Sequence, residues 1–294
     1  MSQFEEKDWK LLLERIKNGE CTPFLGAGAC FGTLPLAVNL SEALATEHKY
    51  PLSDKHDLAR VTQFLAIEYD SIFPKGLIRD QFKTVSPPDF AADDEPHAVL
   101  AKLPLPIYIT TNYDDFMMQA LKKQKKDPKQ EFCRWNSVVK DKPSVFPDFS
   151  PSVANPLVFH FHGYVQSLES MVLTEDDYLD FLVSIAKDDE LLPPRIREAF
   201  SGTSILFLGY SMADWDFRVI FRILVSHLEN SIKRGHASVQ LVTGKDQMSE
   251  AEIKDVEKYL GKYLGEKKIK VYWGTCREFV KELRDRWENF HGNK

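Results

Sequence analysis

Ser204–Tyr210, SILFLGY, is the stretch that decides the fold of this chain. Its centre, Ile205–Leu208, is apolar without alternation, the pattern of a strand buried on both faces. Strands of that kind belong to parallel sheets covered by helices. Similar apolar runs recur as PIYIT at 106–110, PLVFHFHG at 156–163, SVQLVTG at 238–244 and IKVYW at about 268–273. CTPFLGAGAC at 21–30 reads as a short strand running into a glycine-rich turn. Helical spacing fills the gaps. Trp9, Leu12, Leu13 and Ile16 share a stripe across residues 6–18, and Leu36, Leu40, Ala43 and Leu44 do so across 36–48. TNYDDFMMQALKK opens on N-cap-type residues, and TEDDYLDFL at 174–182 starts with a threonine cap and an acidic first turn. Further helices are predicted at 214–229, 248–264 and 275–290. This alternation predicts an α/β fold with a Rossmann-like, doubly wound parallel sheet.

Residues 50–102 read as helical, broken by Pro51, Pro74, Pro87 and Pro88, and contain no convincing strand. They predict a mostly helical subdomain inserted into the sheet domain. Residues 122–155 read as a polar loop with one strand around EFCRW. With no internal repeat and no long linker, residues 1–294 read as one domain with a helical lobe around 50–102.

The 294 residues carry 38 Lys+Arg against 44 Asp+Glu, a net charge of −6. With 43% hydrophobic and 28% charged residues, this is the profile of an ordinary globular protein. The acidic balance, with a pI near 5.8, argues against direct nucleic-acid binding as the main activity. MSQFEEKDWKLLLERIKNGE lacks a cationic segment followed by an apolar one, so no signal peptide is read, and no apolar run is long enough to span a membrane. Cys21, Cys30, Cys133 and Cys276 form no CxxC pair, so neither a zinc ribbon nor a disulfide framework is encoded. The expected setting is the reducing cytoplasm.

Four constellations close strands of the predicted sheet. Gly26-Ala27-Gly28-Ala29 follows the first. Such glycines allow the close backbone approach that cradles a pyrophosphate, or simply make a tight turn. The G-x-G-x-x-G pattern is incomplete, because Phe31 stands at the third small position and Leu34-Pro35 delays the next helix. Thr110-Thr111-Asn112-Tyr113-Asp114 places an amide and a carboxylate at the edge where open α/β sheets bind ligands, and the same residue types cap helices. His160-Phe161-His162-Gly163 puts two histidines on one strand face, suited to a general base, to holding a sugar hydroxyl, or to a structural role. Further ligands for a metal are not evident beside them. Leu208-Gly209-Tyr210-Ser211, followed by Met212-Ala213-Asp214, suits a ribose or phosphate contact, while Ser211-x-x-Asp214 also suits a helix cap. Trp215 and Phe217 read as packing residues and Arg218 as a surface charge.

Taken in order, GAGA, TNYD, FHG and FLGYS resemble the sirtuin-like superfamily, and specifically the bacterial sirtuin-like NADases of antiphage defence. The motifs run from residue 22 to residue 214, and VYWGTCREFVKEL extends the likeness to the tail. The resemblance implies that Gly26, Ala27 and Gly28 hold the NAD phosphates, with Thr111 beside them. It implies that Asn112 lies next to the nicotinamide ribose and Asp114 near the nicotinamide end. His162 matches the catalytic histidine ahead of His160, and Gly209 and Ser211 match the loop around the adenosine half. The chain departs from the deacylases of the superfamily. It lacks the paired cysteines of their zinc lobe and the Asp-Phe-Arg segment after the glycine loop, and Cys30 stands where a serine is common.

The activity so implied is hydrolysis of the nicotinamide–ribose bond of NAD to nicotinamide and ADP-ribose, with NAD as substrate and no metal required. A free NADase would poison its own cell, so control in trans is expected, through an oligomer, a HerA-type ATPase or another sensor protein. The alternatives are a non-catalytic module binding NAD or ADP-ribose to control assembly, and residual deacylase or ADP-ribosyl transfer activity.

Overall fold

The computed structural model describes residues 4–146, 148–188, 191–210, 235–240, 248–266 and 268–292. The apolar runs form strands β1 (Cys21–Leu25), β2 (Ile107–Thr110), β3 (Lys129–Phe132), β4 (Leu157–His160), β5 (Ser204–Leu208), β6 (His236–Gln240) and β7 (Ile269–Trp273). They make one seven-stranded sheet in the order β3-β4-β2-β1-β5-β6-β7, and every pairing is parallel. The helices are α1 (Glu6–Lys17), α2 (Ala37–Glu47), α3 (Leu58–Glu68), α4 (Phe73–Lys83), α5 (Pro96–Lys102), α6 (Phe116–Lys123), α7 (Ser137–Lys140), α8 (Glu175–Lys187), α9 (Pro194–Gly202), α10 (Glu250–Glu266) and α11 (Cys276–Gly292).

Both faces of the sheet are covered, which is why the strands read as apolar runs and not as alternations. Neighbouring residues of a strand point to opposite faces. Leu206 and Leu208 of β5 join Tyr108 and Val158 in a core with α1, α5, α6 and α11. Ile205 and Phe207 join Phe24, Ile109 and Phe159 in a second core, against α8, α9 and α10. The stripe of α1 (Trp9, Leu12, Leu13, Ile16) is buried in the first core, and a capping box between Glu5 and Asp8 starts that helix.

A third apolar cluster lies off the sheet. Leu44 and Ala45 of α2, Val61 and Leu65 of α3 and Ile78 of α4 pack with Val165, Met171 and Leu173 from the segment after β4. Polar links fasten these helices to the start of α8. Lys75 Nζ lies 2.9 Å from Asp177, Gln63 Nε2 donates to Asp176 across 2.7 Å, and Thr62 Oγ1 donates to the Leu173 carbonyl. Asp177 also accepts from the Leu173 and Thr174 amides, so one carboxylate both starts α8 and binds the lysine.

The strand expected around EFCRW forms earlier, over Lys129–Phe132, at the sheet edge. Its pairing still reaches Cys133, whose amide donates to the His160 carbonyl. SVQLVTG supplies β6 up to Gln240. Its last residues, and the helix predicted at 214–229, lie outside the described residues.

Chain order within the sheet places a crevice. From β1 the chain crosses towards β2, and from β5 it crosses the other way, towards β6, although β1 and β5 are neighbours. Their following segments therefore part above the carboxyl ends of the two strands, the position at which open α/β sheets bind ligands.

Candidate active site

The turns after β1 and β5 interlock in that crevice. The Gly26 amide donates to the Leu208 carbonyl and the Gly28 amide to the Gly209 carbonyl, at 2.8 and 2.9 Å. A Cβ at Gly26 would lie 2.7 Å from the Tyr210 ring, and one at Gly28 would lie 2.8 Å from the Gly209 Cα. Gly209 has φ +80°, and a Cβ there would meet the Ala29 nitrogen at 2.4 Å. The glycines are thus required by two backbones in contact. Tyr210 closes the arrangement from the side: its hydroxyl donates to the Leu25 carbonyl at 2.8 Å and lies 2.9 Å from Thr111 Oγ1. Burial pushes the Tyr210 phenol well above its ordinary range. Residues 27–30 then form a 3-10 turn, not the start of a long helix.

Asn112 follows β2 and reaches back to this turn. Its Nδ2 donates to the Gly26 carbonyl at 3.0 Å and contacts Cys30 Sγ at 3.3 Å. Asp114 is buried. One carboxylate oxygen accepts from the Phe116 amide at the start of α6, and the other receives the Cys30 thiol at 3.3 Å. The capping and site-lining readings of Asp114 therefore describe the same side chain. Burial, and then the Asp114 carboxylate, push the Cys30 thiol well above its ordinary range, so it stays protonated.

The two histidines of β4 and its exit differ sharply. His160 has both ring nitrogens engaged, Nδ1 with the Asn112 carbonyl at 3.1 Å and Nε2 with Gln130 Nε2 at 2.8 Å. This fixes one tautomer: Nδ1 donates and Nε2 accepts. Desolvation lowers its pKa, against a smaller opposing effect of the Asn112 carbonyl. His162 is 3% exposed, and its Nε2 is sealed from solvent with no hydrogen-bond partner among the described residues. Phe181 and Tyr178 stand edge-on to its ring at 5.0 and 5.5 Å. Burial pushes it down to about 3, so the ring is neutral at physiological pH. Gly163 follows with φ +75°, and a Cβ there would overlap the Ser170 carbonyl, so the FHG glycine belongs to a tight turn.

Ala27, Thr111, Asn112, Asp114, His162 and Gly209 line one cavity of about 1030 Å³. Gly26 and Gly28 sit just behind this wall, against Gly209, and Ser211 lies outside the described residues. The opposite wall comes from α2, α3 and the start of α8, with Arg60, Asp54, Asp57 and Glu175 along it. Arg60 lies 3.2 Å from Glu175 and is bound to Asp54 as well. The volume suits a dinucleotide-sized ligand.

Two residues escaped the sequence reading. His97 Nδ1 lies 2.7 Å from Glu95 Oε1, and His97 Nε2 lies 4.0 Å from Cys30 Sγ. Cys30, His97 and Asp114, all buried, have their ligand-type atoms within 4.8 Å of one another. Nothing in PHAVLAK marks this histidine in sequence, because it lies 67 residues from its cysteine partner.

A doubly wound parallel sheet, with interlocked glycine turns and an Asn–His pair at its carboxyl edge, defines a Rossmann-like α/β domain with a crevice at its topological switch point. The model of the SIR2-like domain family matches residues 106–269, more than half of the chain, and the chain belongs to that family. Among characterised proteins it is similar to the NAD(+) hydrolase ThsA of Cytobacillus dafuensis, 27% identical over 72% of this chain and 39% of that protein. The Enterococcus faecium protein of the same name is 26% identical over 70% of this chain and 41% of its own length. That of Acinetobacter baumannii is 24% identical over 96% of this chain and 57% of its own. The chain thus spans between about two fifths and three fifths of the length of these relatives.

Proposed function

We propose that this chain hydrolyses NAD at the nicotinamide–ribose bond, releasing nicotinamide and ADP-ribose, as the NAD-depleting effector of an antiphage defence system. The observation that carries the reading is the convergence of Asn112, Asp114 and His162 on one cavity beside the interlocked glycine turns. The similarity to proteins named NAD(+) hydrolase ThsA supports it.

Loss of nicotinamide leaves oxocarbenium character on the ribose, and the leaving group departs neutral because its ring is cationic in NAD. The site must hold the ribose and place a water, and needs no strong acid. Asn112 would orient the ribose or the water through its amide, whose Nδ2 is anchored at Gly26. Asp114 would position the nicotinamide carboxamide or stabilise the cation. A histidine held down to about 3 is a weak base, so His162 would act as a neutral hydrogen-bond partner of a ribose hydroxyl. Ala27, Thr111 and Gly209, with Gly26 and Gly28 behind them, would receive the pyrophosphate and adenosine half. Ser211 belongs to the same proposal from its motif alone.

The reading extends to control in trans, through a homo-oligomer or a partner such as a HerA-type ATPase, with the cytoplasmic NAD pool as target. No helix among the described residues is long and apolar enough to cross a membrane. Incubating purified chain with NAD and following nicotinamide release, alone and with proteins encoded beside it, tests the activity. Mass measurement of the same mixtures tests assembly. Nucleotide binding without nicotinamide release under every condition would turn the assignment to a binding module.

A further inference from the structure

Both carboxylates of the buried group around Cys30 cap helices, Glu95 that of α5 and Asp114 that of α6, but capping does not require the imidazole and the thiol that lie between them. Its ligand-type atoms come from three separate pieces of backbone: the 3-10 turn after β1, the first turn of α5, and the loop after β2. Cys30 Sγ lies 3.3 Å from Asp114 Oδ2 and 4.0 Å from His97 Nε2. The imidazole is aimed by Glu95, whose Oε1 holds Nδ1 while its Oε2 accepts the Ala98 amide at 2.5 Å. The His97 and Glu95 side chains are only 1% and 2% exposed. A carboxylate on Nδ1 keeps the proton there, so Nε2 presents its lone pair towards the thiol. A carboxylate behind the imidazole, which leaves the other ring nitrogen to the metal, is the arrangement that fixes histidines at metal ions.

We propose that Cys30, His97 and Asp114 form a binding site for one zinc-type divalent cation, with Glu95 as the outer partner that orients His97. Tetrahedral zinc, with bonds of about 2.0–2.3 Å to nitrogen, oxygen and sulfur, separates its ligand atoms by roughly 3.3–3.7 Å. The 3.3 Å separation already fits, the 4.0 Å one closes by a few tenths of an ångström, and the His97–Asp114 pair, within 4.8 Å, draws together on binding. One thiolate and one carboxylate cancel the charge of the ion, and the remaining negative charge, on Glu95, is held by the His97 Nδ1–H and the Ala98 amide. Asn112 Nδ2, 3.3 Å from Sγ, is placed to donate to the bound thiolate. Cys30 and Asp114 both line the large cavity, which leaves a fourth position facing it. On binding, the Cys30 S–H bond breaks, a metal–sulfur bond forms, and one proton passes to solvent for each ion bound.

This inference does not rest on NAD cleavage, so its test reads metal and not turnover. The chelator-stripped 294-residue chain is titrated with Co²⁺, a spectroscopic stand-in for zinc. The expected result is one equivalent bound, a near-ultraviolet thiolate-to-cobalt charge-transfer band, visible bands of tetrahedral cobalt, release of one proton, and displacement by Zn²⁺. Cys30→Ser removes the charge-transfer band, and His97→Gln weakens binding at least tenfold. Glu95→Gln, which keeps all three ligands, weakens it about 10–100-fold. Cys133→Ser, at a buried cysteine elsewhere, leaves the band unchanged. No charge-transfer band in folded wild-type chain at saturating Co²⁺, or a band that survives Cys30→Ser, overturns the site. Should Cys30→Ser not fold, the decision passes to the zinc-dependent rise in Tm, present in wild type and absent in His97→Gln.

Discussion

Asn112 holds the carbonyl of Gly26: its Nδ2 donates across 3.0 Å and so ties the loop after β2 to the turn after β1. The same amide touches Cys30, and the Asn112 carbonyl accepts from His160. One residue therefore stitches together the exits of β1, β2 and β4 at the wall of the cavity.

Two losses are expected from Asn112→Ala. Nicotinamide release should fall at least about 100-fold, the usual effect of deleting a positioned polar group at a reacting centre. Stability should fall by only about 1 kcal/mol, because the Gly26 carbonyl loses one hydrogen bond at the edge of a wet cavity. Turnover assays and thermal melts on the same preparation separate the effects. Undiminished turnover would remove Asn112 from the site.

The glycine interlock makes a sharper contrast. Gly209→Ala puts a methyl group 2.4 Å from the Ala29 nitrogen and 2.6 Å from the Gly26 carbonyl oxygen, on a backbone at φ +80°. The turns must part, and a loss of several kcal/mol is expected, at the destabilising extreme for single substitutions. Gly32 also has a positive φ, +85°, but nothing lies within 4 Å of its missing Cβ. Gly32→Ala should cost only about 1–2 kcal/mol, the strain of a left-handed alanine. Urea unfolding of both variants gives the comparison, and similar midpoints would mean that the interlock is not rigid.

These contrasts show how far the sequence could be read. β5 was legible because its residues face two different cores, Leu206 one and Phe207 the other, and continuous apolar character is the visible result. β3 was placed too late because it is an edge strand beginning at exposed Lys129, with burial only at Glu131 and Phe132. The glycines stood out by residue type, but their cause did not: Gly28 and Gly209 meet across a strand pairing that only the folded sheet creates. His97 was hidden for the same reason. Its partners lie on turns that become neighbours when β1 pairs with β2, and a helix-starting PHAV has no local pattern to mark a ligand.

Folding stability should fall as pH drops below about 6.5, the ordinary histidine value. Burial pushes His162 down to about 3 and His236 to about 4, and it lowers His160 as well. His236 has a further reason to stay neutral, since its Nδ1 accepts the Ile205 amide at 3.0 Å. Below pH 6.5 the unfolded chain takes up protons that the folded chain refuses, so the equilibrium moves towards unfolding. Each neutral histidine withdraws about 1.4 kcal/mol per pH unit until its own folded pKa is reached. Urea midpoints measured between pH 7.5 and 4.5 should slope accordingly, and the slope should be shallower in His162→Phe. A flat profile would mean that these rings are not buried as neutral groups.

The two neighbouring histidines should answer substitution in opposite ways. His160 spends both ring nitrogens on the Asn112 carbonyl and on Gln130, so His160→Phe strands those groups and should cost about 1–3 kcal/mol. His162 keeps Nε2 buried without a partner among the described residues, a polar atom that weakens the fold, while its ring lines the cavity. Phenylalanine keeps a flat ring against Tyr178 and Phe181 and removes the stranded nitrogen. His162→Phe should therefore leave stability unchanged or raise it by about 1 kcal/mol while abolishing nicotinamide release, the trade expected where a fold gives up stability for a working group. Melting and turnover measured together decide the point. A His162→Phe chain that is destabilised yet still active would mean that the ring serves packing and not the reaction.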